Sequence, residues 1–311
     1  MKIFVLDEMH PAGIEWMSER AEVIRWDDPR CSHWHDQAEG LMIRTAKVTA
    51  QDFARAKKLR VVSKQGVGIN SIDVQAASSH GITVCNTPGI NRVAVAEMTM
   101  ALVMNLARRV SLQDRLIRAG TPFNRNHHLG LELTGKAVGI IGMGHIGTEF
   151  ARKMWGAFES KLLAYDPFHP RPEWKDWPHR RATTLAEVLA DADVVSLHVP
   201  YTPSNHHLID AHALSLMKPG ALLVNVSRGG LIDEQALFQA LSEGRLGGAA
   251  LDVWEEVEPP RPDHPLLGLP QVIATPHAAG STADTQRASS MAVAQQLWHV
   301  LQGGEPWHRV V

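Results

Sequence analysis

Residues 137–166 read AVGIIGMGHIGTEFARKMWGAFESKLLAYD. An apolar run of strand character, 137–141, leads into Gly142, Gly144 and Gly147, spaced as G-x-G-x-x-G. Residues 148–155 carry a helical pattern, and a second apolar run, 161–165, closes on Asp166. A glycine turn between strand and helix, with an acid about 20 residues further on, is the arrangement that holds a dinucleotide. Gly142 permits the tight turn, Gly144 lets backbone approach a pyrophosphate, and Gly147 lets the helix pack on the strand. The helix N-terminus adds N–H donors and partial positive charge. Asp166 stands where a carboxylate accepts from a ribose hydroxyl.

The rest of the chain is long enough to build on this unit. Its 311 residues predict about two domains at ~150 residues each. Hydrophobic residues at 44% and charged residues at 21% fit a globular protein. A net charge of −2 lacks the basic footprint that nucleic acid or an anionic membrane surface requires. Cys31 and Cys85 are too few for a disulfide framework, so a reducing, cytoplasmic compartment is expected. The opening MKIFVLD reads as a strand and not as a signal peptide, and no apolar run reaches the ~18 residues of a membrane span.

Upstream of the glycine turn, strands are predicted at 3–6, 23–26, 41–43, 60–64 and 82–85, with a helix over 11–20 opened by Pro11. Such alternation predicts a parallel sheet. Residues 27–36 hold Cys31, His33, His35 and Asp36, types that bind metal, but their spacing matches no closed site. A solvated loop and no metal are expected there. Arg44 follows a strand end, and Lys64 ends another. In QGVGIN (65–70), Gly66 and Gly68 either leave amides open to an anion or make a plain turn. Residues 93–119 contain no glycine or proline and predict one long helix, long enough to join two domains. Its second half gathers Arg108, Arg109, Arg115 and Arg118, which suits a helix C-terminus.

Downstream, 167–181 is rich in Pro, Trp and charge and reads as a surface excursion. Further strands at 194–199, 221–226, 248–253 and 272–275 end near His198, Arg228, Asp252 and His277. Ligands bind beyond the carboxyl ends of parallel strands, so this row, with Gly142 and Asp166, marks a site. Arginine grips a carboxylate bidentately. Histidine exchanges a proton with a carbonyl or hydroxyl oxygen, and a carboxylate beside it favours the imidazolium. A last helix over 282–302 returns to the first domain.

These pieces together resemble the D-isomer-specific 2-hydroxyacid dehydrogenase family, which includes phosphoglycerate dehydrogenases and glyoxylate and hydroxypyruvate reductases. The resemblance rests on KQGVGINSID (64–73), VAEMT (95–99), GMGHIG (142–147), LHVP (197–200), NVSRGGLID (225–233), AALDVWEE (249–256) and TPHAAG (275–280). It implies two doubly wound parallel-sheet domains: a flavodoxin-like substrate domain of 1–98 and 282–311, and an inserted Rossmann NAD-binding domain of 99–281. It also implies a homodimer with 99–140 as the arm, while the net charge predicts no nucleic-acid or membrane partner and a length of 311 residues predicts no appended regulatory domain.

The roles implied run residue by residue. Arg228 holds the substrate carboxylate and carbonyl, His277 is the acid/base, and Glu258 pairs with it. Backbone at Val67 and Gly68 binds the substrate carboxylate, with Arg44 as a further substrate contact. Asp166 holds the adenosine ribose and repels a 2′-phosphate, which favours NAD over NADP. His145 and Ile146 flank the pyrophosphate, and His198, Val199 and Pro200 line the adenosine side. Asp252 faces the nicotinamide carboxamide. Thr99, Val226, Ser227 and Gly280 complete the cofactor contacts.

Three departures stand out. The family's glutamate lies five residues after the aspartate, but position 257 is Val and the Glu-Pro pair is Glu258-Pro259. Glu258 is the expected partner and Glu256 the alternative. His145 stands where the family often has arginine, and Met98 replaces a common histidine. The expected reaction is reversible hydride transfer between NADH and a 2-oxo acid. A formate dehydrogenase on the same scaffold is disfavoured by the glutamate before proline, and a non-catalytic NAD-sensing regulator by the intact Arg228, Glu258 and His277.

Overall fold

Five short strands early in the chain are apolar on both faces, the pattern of a parallel sheet covered by helices. They are β1 (Lys2–Val5), β2 (Glu22–Ile24), β3 (Gly40–Ile43), β4 (Val61–Lys64) and β5 (Thr83–Asn86), all parallel, in the order β2-β1-β3-β4-β5. That is the flavodoxin-like order. The computed structural model describes residues 1–168 and 179–311. Helices α1 (Pro11–Ser18), α2 (Trp34–Gln37), α3 (Ala50–Arg55) and α4 (Val74–Ser79) flank this sheet, joined at the end of the chain by α11 (Ala283–Leu301). Proline opens α1 and Thr282 caps α11 by accepting from the Thr285 amide. The two helices meet closely at Gly13, where a Cβ would lie 2.2 Å from the Ser290 carbonyl oxygen.

The expected solvated loop at 27–36 is instead a 3-10 turn, Pro29–His33, followed by α2. Cys31, Trp34 and His35 are buried. His35 stacks on Trp34 at 3.9 Å and bonds the Asp52 carboxylate at 2.7 Å, while the Cys31 thiol faces the Val5 carbonyl oxygen. Aromatic packing in a polar-looking stretch is what turns it inward.

The second sheet has seven parallel strands: β6 (Ala137–Ile141), β7 (Lys161–Tyr165), β8 (His179–Arg181), β9 (Val194–Leu197), β10 (Leu222–Asn225), β11 (Gly248–Leu251) and β12 (Val272–Ala274). Their order is β12-β11-β10-β9-β6-β7-β8, the Rossmann order with one added strand. Helices α5 (Arg92–Arg108), α6 (Val110–Arg118), α7 (His145–Phe158), α8 (Leu185–Asp191), α9 (Ala211–Leu216) and α10 (Glu234–Ser242) belong to this unit. Leu102, Leu106, Phe150 and Met154 fill one face of the sheet, and Val188, Leu214, Leu237 and Leu241 the other. Of the expected excursion at 167–181, residues 169–178 lie outside the described residues, and 179–181 form β8.

The chain divides into Met1–Asn91 with Ser281–Val311, and Arg92–Gly280. A boundary at 98/99 would cut α5, whose buried residues from Ala94 to Ala107 pack in the second unit's core, so the division falls before its first residue. The expected single helix over 93–119 is broken at Arg109, which takes a left-handed φ of 53°. The Asn105 side chain bonds both the amide and hydroxyl of Ser111 across the break. The reason is burial: α5 follows the core, whereas α6 buries no residue and leaves it. Among the described residues no helix is long and apolar enough to cross a membrane.

Candidate active site

Strand order in the second sheet reverses between β6 and β9, and the glycine turn sits at this switch point. Gly142 has φ 93°, and a Cβ there would lie 2.7 Å from both the His198 carbonyl oxygen and Val199 Cγ1. At Gly147 a Cβ would lie 2.0 Å from the Gly142 carbonyl oxygen, so helix and turn touch. Gly144 differs: a Cβ would meet nothing within 4 Å. Its backbone therefore faces open space. No side chain caps α7, so the amides around His145 and Ile146, its first two residues, are left for an outside acceptor.

Asp166, buried at the end of β7, accepts from the Met143 amide at 2.9 Å and from the Phe168 amide at 3.0 Å. Each oxygen keeps a second lone pair. An uncapped helix start, an open approach at Gly144 and this carboxylate fit a dinucleotide. The His198 ring turns inward, 5.3 Å from Phe150, with Nε2 3.0 Å from Ser196 Oγ. Burial pushes its pKa down to about 3, so the ring is neutral. Thr99 is fully buried, and its hydroxyl donates to the Val95 carbonyl oxygen.

The second cluster lies at the ends of β10, β11 and β12. Asp252 is fully buried. Its carboxylate accepts from the Thr275 hydroxyl at 2.5 Å and from the Ala278 and Ala279 amides at 2.9 Å each. Its carbonyl oxygen accepts from the His277 amide at 2.7 Å. These bonds hold His277 in a left-handed conformation, φ 55°, which a histidine seldom adopts. Asp252 thus shapes the turn that presents His277.

Glu258 is the acid against that histidine: its Oε2 lies 2.5 Å from His277 Nδ1. Oε1 accepts from the Trp254 amide at 3.0 Å. Glu256 is exposed, and Glu255 bonds His207 instead. The hydrogen bond with Glu258 raises the His277 pKa above its ordinary value, outweighing desolvation and the repulsion of nearby Arg228. For Glu258, desolvation is the largest influence and acts upward. The bonds from His277 and Trp254, with the charges of His277 and Arg228, nevertheless bring it below the usual carboxylate value. The pair therefore favours an imidazolium against a carboxylate, with Nε2 of His277 free of it.

Arg228 stands in the turn after β10, half-buried, its Nη1 donating to the Ser227 carbonyl oxygen at 2.6 Å. Ser227 Oγ donates to the Leu197 carbonyl oxygen, and Asn225 Nδ2 to that of Arg228, which fixes the turn. Val226 is buried beside it.

Two residues, Gly229 and Trp254, lie within the family motifs but carry no role that the resemblance implies. A Cβ on Gly229 would lie 1.9 Å from the Trp254 carbonyl carbon, so the Arg228 turn rests directly on the Trp254 backbone. Trp254 Nε1 donates to the Thr275 carbonyl oxygen at 3.2 Å. Trp254 thereby joins the turns of Arg228, Glu258 and His277. An aromatic residue after a strand, with glycine in a neighbouring turn, was the available signal.

The expected substrate residues Val67, Gly68 and Arg44 belong to the first unit. Gly66, at φ 92°, spends its amide on Thr87 Oγ1 at 2.8 Å, so it is not open to an anion. Among the described residues the amides of Val67 and Gly68 donate to no protein group. Arg44 is exposed, and its amide donates to Asp7 Oδ2. Lys64 is buried, and its ammonium donates to the Arg44 carbonyl oxygen.

A switch-point glycine turn and an acid on the next strand, with a histidine–carboxylate pair on the same sheet, define a dinucleotide-binding class of α/β protein. The family model for the D-isomer specific 2-hydroxyacid dehydrogenase NAD binding domain matches residues 100–279, a span that holds all of these features. The chain is 39% identical over 307 residues to D-3-phosphoglycerate dehydrogenase of Methanocaldococcus jannaschii, covering 97% of this chain and 58% of that one. It is 36% identical over 318 residues to glyoxylate reductase of Aeropyrum pernix, covering 98% and 94%. A solved structure from Thermus thermophilus matches with a TM-score of 0.90 at 35% identity, over 100% of both chains. The chain belongs to the D-isomer specific 2-hydroxyacid dehydrogenase family. It spans little more than half the length of the phosphoglycerate dehydrogenases it matches.

Proposed function

We propose that this protein reduces a 2-oxo acid to the D-2-hydroxy acid, and catalyses the reverse oxidation, with NAD as the cofactor. The observation that carries this reading is the His277–Glu258 pair at 2.5 Å, on the same sheet edge as Arg228. The reduced nicotinamide, when bound, supplies a hydride to the carbonyl carbon. Arg228 grips the substrate carboxylate and polarises the carbonyl. His277 gives its Nε2 proton to the carbonyl oxygen as charge develops there, while Nδ1 stays bonded to Glu258. The hydride forms the new C–H bond, the former π pair takes the proton as O–H, and His277 regains a proton from solvent. In the oxidation direction the neutral imidazole removes that proton.

The remaining roles follow the same reading. Asp166 selects NAD, since its charge opposes a 2′-phosphate. Val67 and Gly68 are carboxylate contacts, supported by their two unspent amides, with Arg44 as a further contact. Thr99, His145, Ile146, His198, Val199, Pro200, Val226, Ser227, Asp252 and Gly280 surround the cofactor. A homodimer through 99–140 is supported by the exposed apolar Val110, Ile117 and Leu129. A cytoplasmic location is supported by the two unpaired, buried cysteines.

The test is NADH oxidation, followed by its near-ultraviolet absorbance, against 2-oxo acids that include glyoxylate and phosphorylated hydroxypyruvate. At least one should be reduced, and His277→Asn should lose at least about 100-fold in kcat with NADH affinity unchanged. Asparagine tolerates the left-handed backbone, so that variant isolates the chemistry. NADH binding without reduction of any acid would point to a sensor of the cofactor instead.

A further inference from the structure

A second cluster of titratable side chains lies apart from the His277 pair. His206, His207 and Glu255 each offer one ligand atom, and these atoms lie within 4.8 Å of one another. His207 Nε2 is 2.7 Å from Glu255 Oε1, and His206 Nε2 is 3.8 Å from the same oxygen. The two rings stack at 3.8 Å and 26°. The other nitrogen of His206 also has a partner, Nδ1 lying 3.4 Å from the Tyr201 hydroxyl, while His207 Nδ1 is 4.0 Å from Asp233 Oδ2, beyond hydrogen-bond distance. For His206, an Nδ1 proton directed at that hydroxyl leaves a lone pair on Nε2, the tautomer that binds a metal.

The backbone holds this arrangement without help from the ligating atoms. The His207 amide donates to the Gly230 carbonyl oxygen at 2.8 Å, at a left-handed φ of 51°. The Glu255 amide donates to Glu234 Oε1 at 2.9 Å, and Glu234 Oε2 is 3.0 Å from His264 Nε2. A simple His207–Glu255 hydrogen bond accounts for one imidazole only. It does not involve the second imidazole, whose Nε2 lies 3.8 Å from the same oxygen and whose Nδ1 has its own partner in Tyr201.

We propose that His206, His207 and Glu255 bind a divalent transition-metal ion of the zinc class, through the two Nε2 atoms and Glu255 Oε1, with water completing the coordination. Two imidazoles and one carboxylate suit zinc, cobalt, nickel or copper, whereas calcium and magnesium take all-oxygen sites. His206 is exposed, so the ion enters from solvent. It replaces the His207–Glu255 bond and ties the 206–207 turn to the segment that carries Trp254. The spacing of the sequence predicts no metal, because the ligands come from separate segments and meet only on folding. The inference does not depend on the reaction proposed above.

The experiment titrates Co²⁺ into the chelator-treated full chain, reading ligand-field absorption, with stoichiometry from calorimetry and displacement by Zn²⁺. One cobalt per chain should bind at micromolar concentration and be displaced by zinc. His206→Ala/His207→Ala should lose that equivalent, and Glu255→Gln should weaken it at least about tenfold. His127→Ala/His128→Ala, a histidine pair elsewhere, should retain it. His206→Ala alone, at an exposed side chain, serves if the double variant does not fold. Absence of saturable binding, or an equivalent that survives loss of His206, would overturn the site.

Discussion

The turn at 142–147 and the turn at 275–280 each follow a strand of the same sheet, and each is tied to an aspartate ending the neighbouring strand. They reach their shapes by different means. The first relies on missing side chains: Gly142 and Gly147 have no room for a Cβ, and Asp166 contributes one bond, to the Met143 amide. The second has no glycine before Gly280 and relies on a carboxylate, with Asp252 accepting three donors from 275–279. A turn shaped by glycine leaves open space for a ligand. A turn shaped by a buried carboxylate can carry a full side chain in a left-handed conformation at its apex, here His277.

This contrast orders the effects of mutation. Asp252→Ala should do the most harm, because it removes the fully buried acceptor of three donors, one of them, the Ala279 amide, itself buried. A loss of about 3 to 5 kcal/mol in chemical denaturation is expected, together with loss of turnover. Asp166→Ala should cost less, and the opposite ranking would break the comparison. Gly147→Ala drives a methyl against the Gly142 carbonyl and should cost about 2 kcal/mol, with cofactor binding lost alongside.

Glu258→Gln should act on the pH profile. In the mechanism proposed above reduction needs the imidazolium, so its rate should stay constant at low pH and fall as pH rises through the His277 pKa. That pKa lies above the ordinary ~6.5 because of Glu258. Removing the carboxylate takes away the largest upward influence, so the fall should begin at lower pH. An unmoved profile would mean that another group titrates. Gly144→Ala should have the smallest effect on stability, below about 1 kcal/mol, since its Cβ meets nothing. NADH affinity should still drop, because the methyl would enter the open space proposed for the nucleotide. Unchanged affinity would place the pyrophosphate elsewhere.

The same contrast explains what the sequence reveals. The glycine turn and the parallel strands are local signals, each readable within a few residues. Arg228 and His277 are legible as polar residues at strand ends, and Glu258 as the acid before Pro259. Features made by distant segments are not legible. Nothing near Arg109 announces a break, which follows from α6 having no core to face. The inward turn of Cys31 and His35 depends on Trp34 and Asp52. His206, His207 and Glu255 meet only because the ends of β9 and β11 lie on one edge of the sheet.

The contact between Gly229 and the Trp254 backbone has one more consequence. Loops at the edge of such a sheet ordinarily diverge one at a time, each free to trade residues without consulting its neighbours. Here a side chain at 229 would displace Trp254, whose amide positions Glu258 and whose indole bonds the Thr275 carbonyl oxygen. The three loops therefore form a single unit of variation, and a redesign of any one must start from all three.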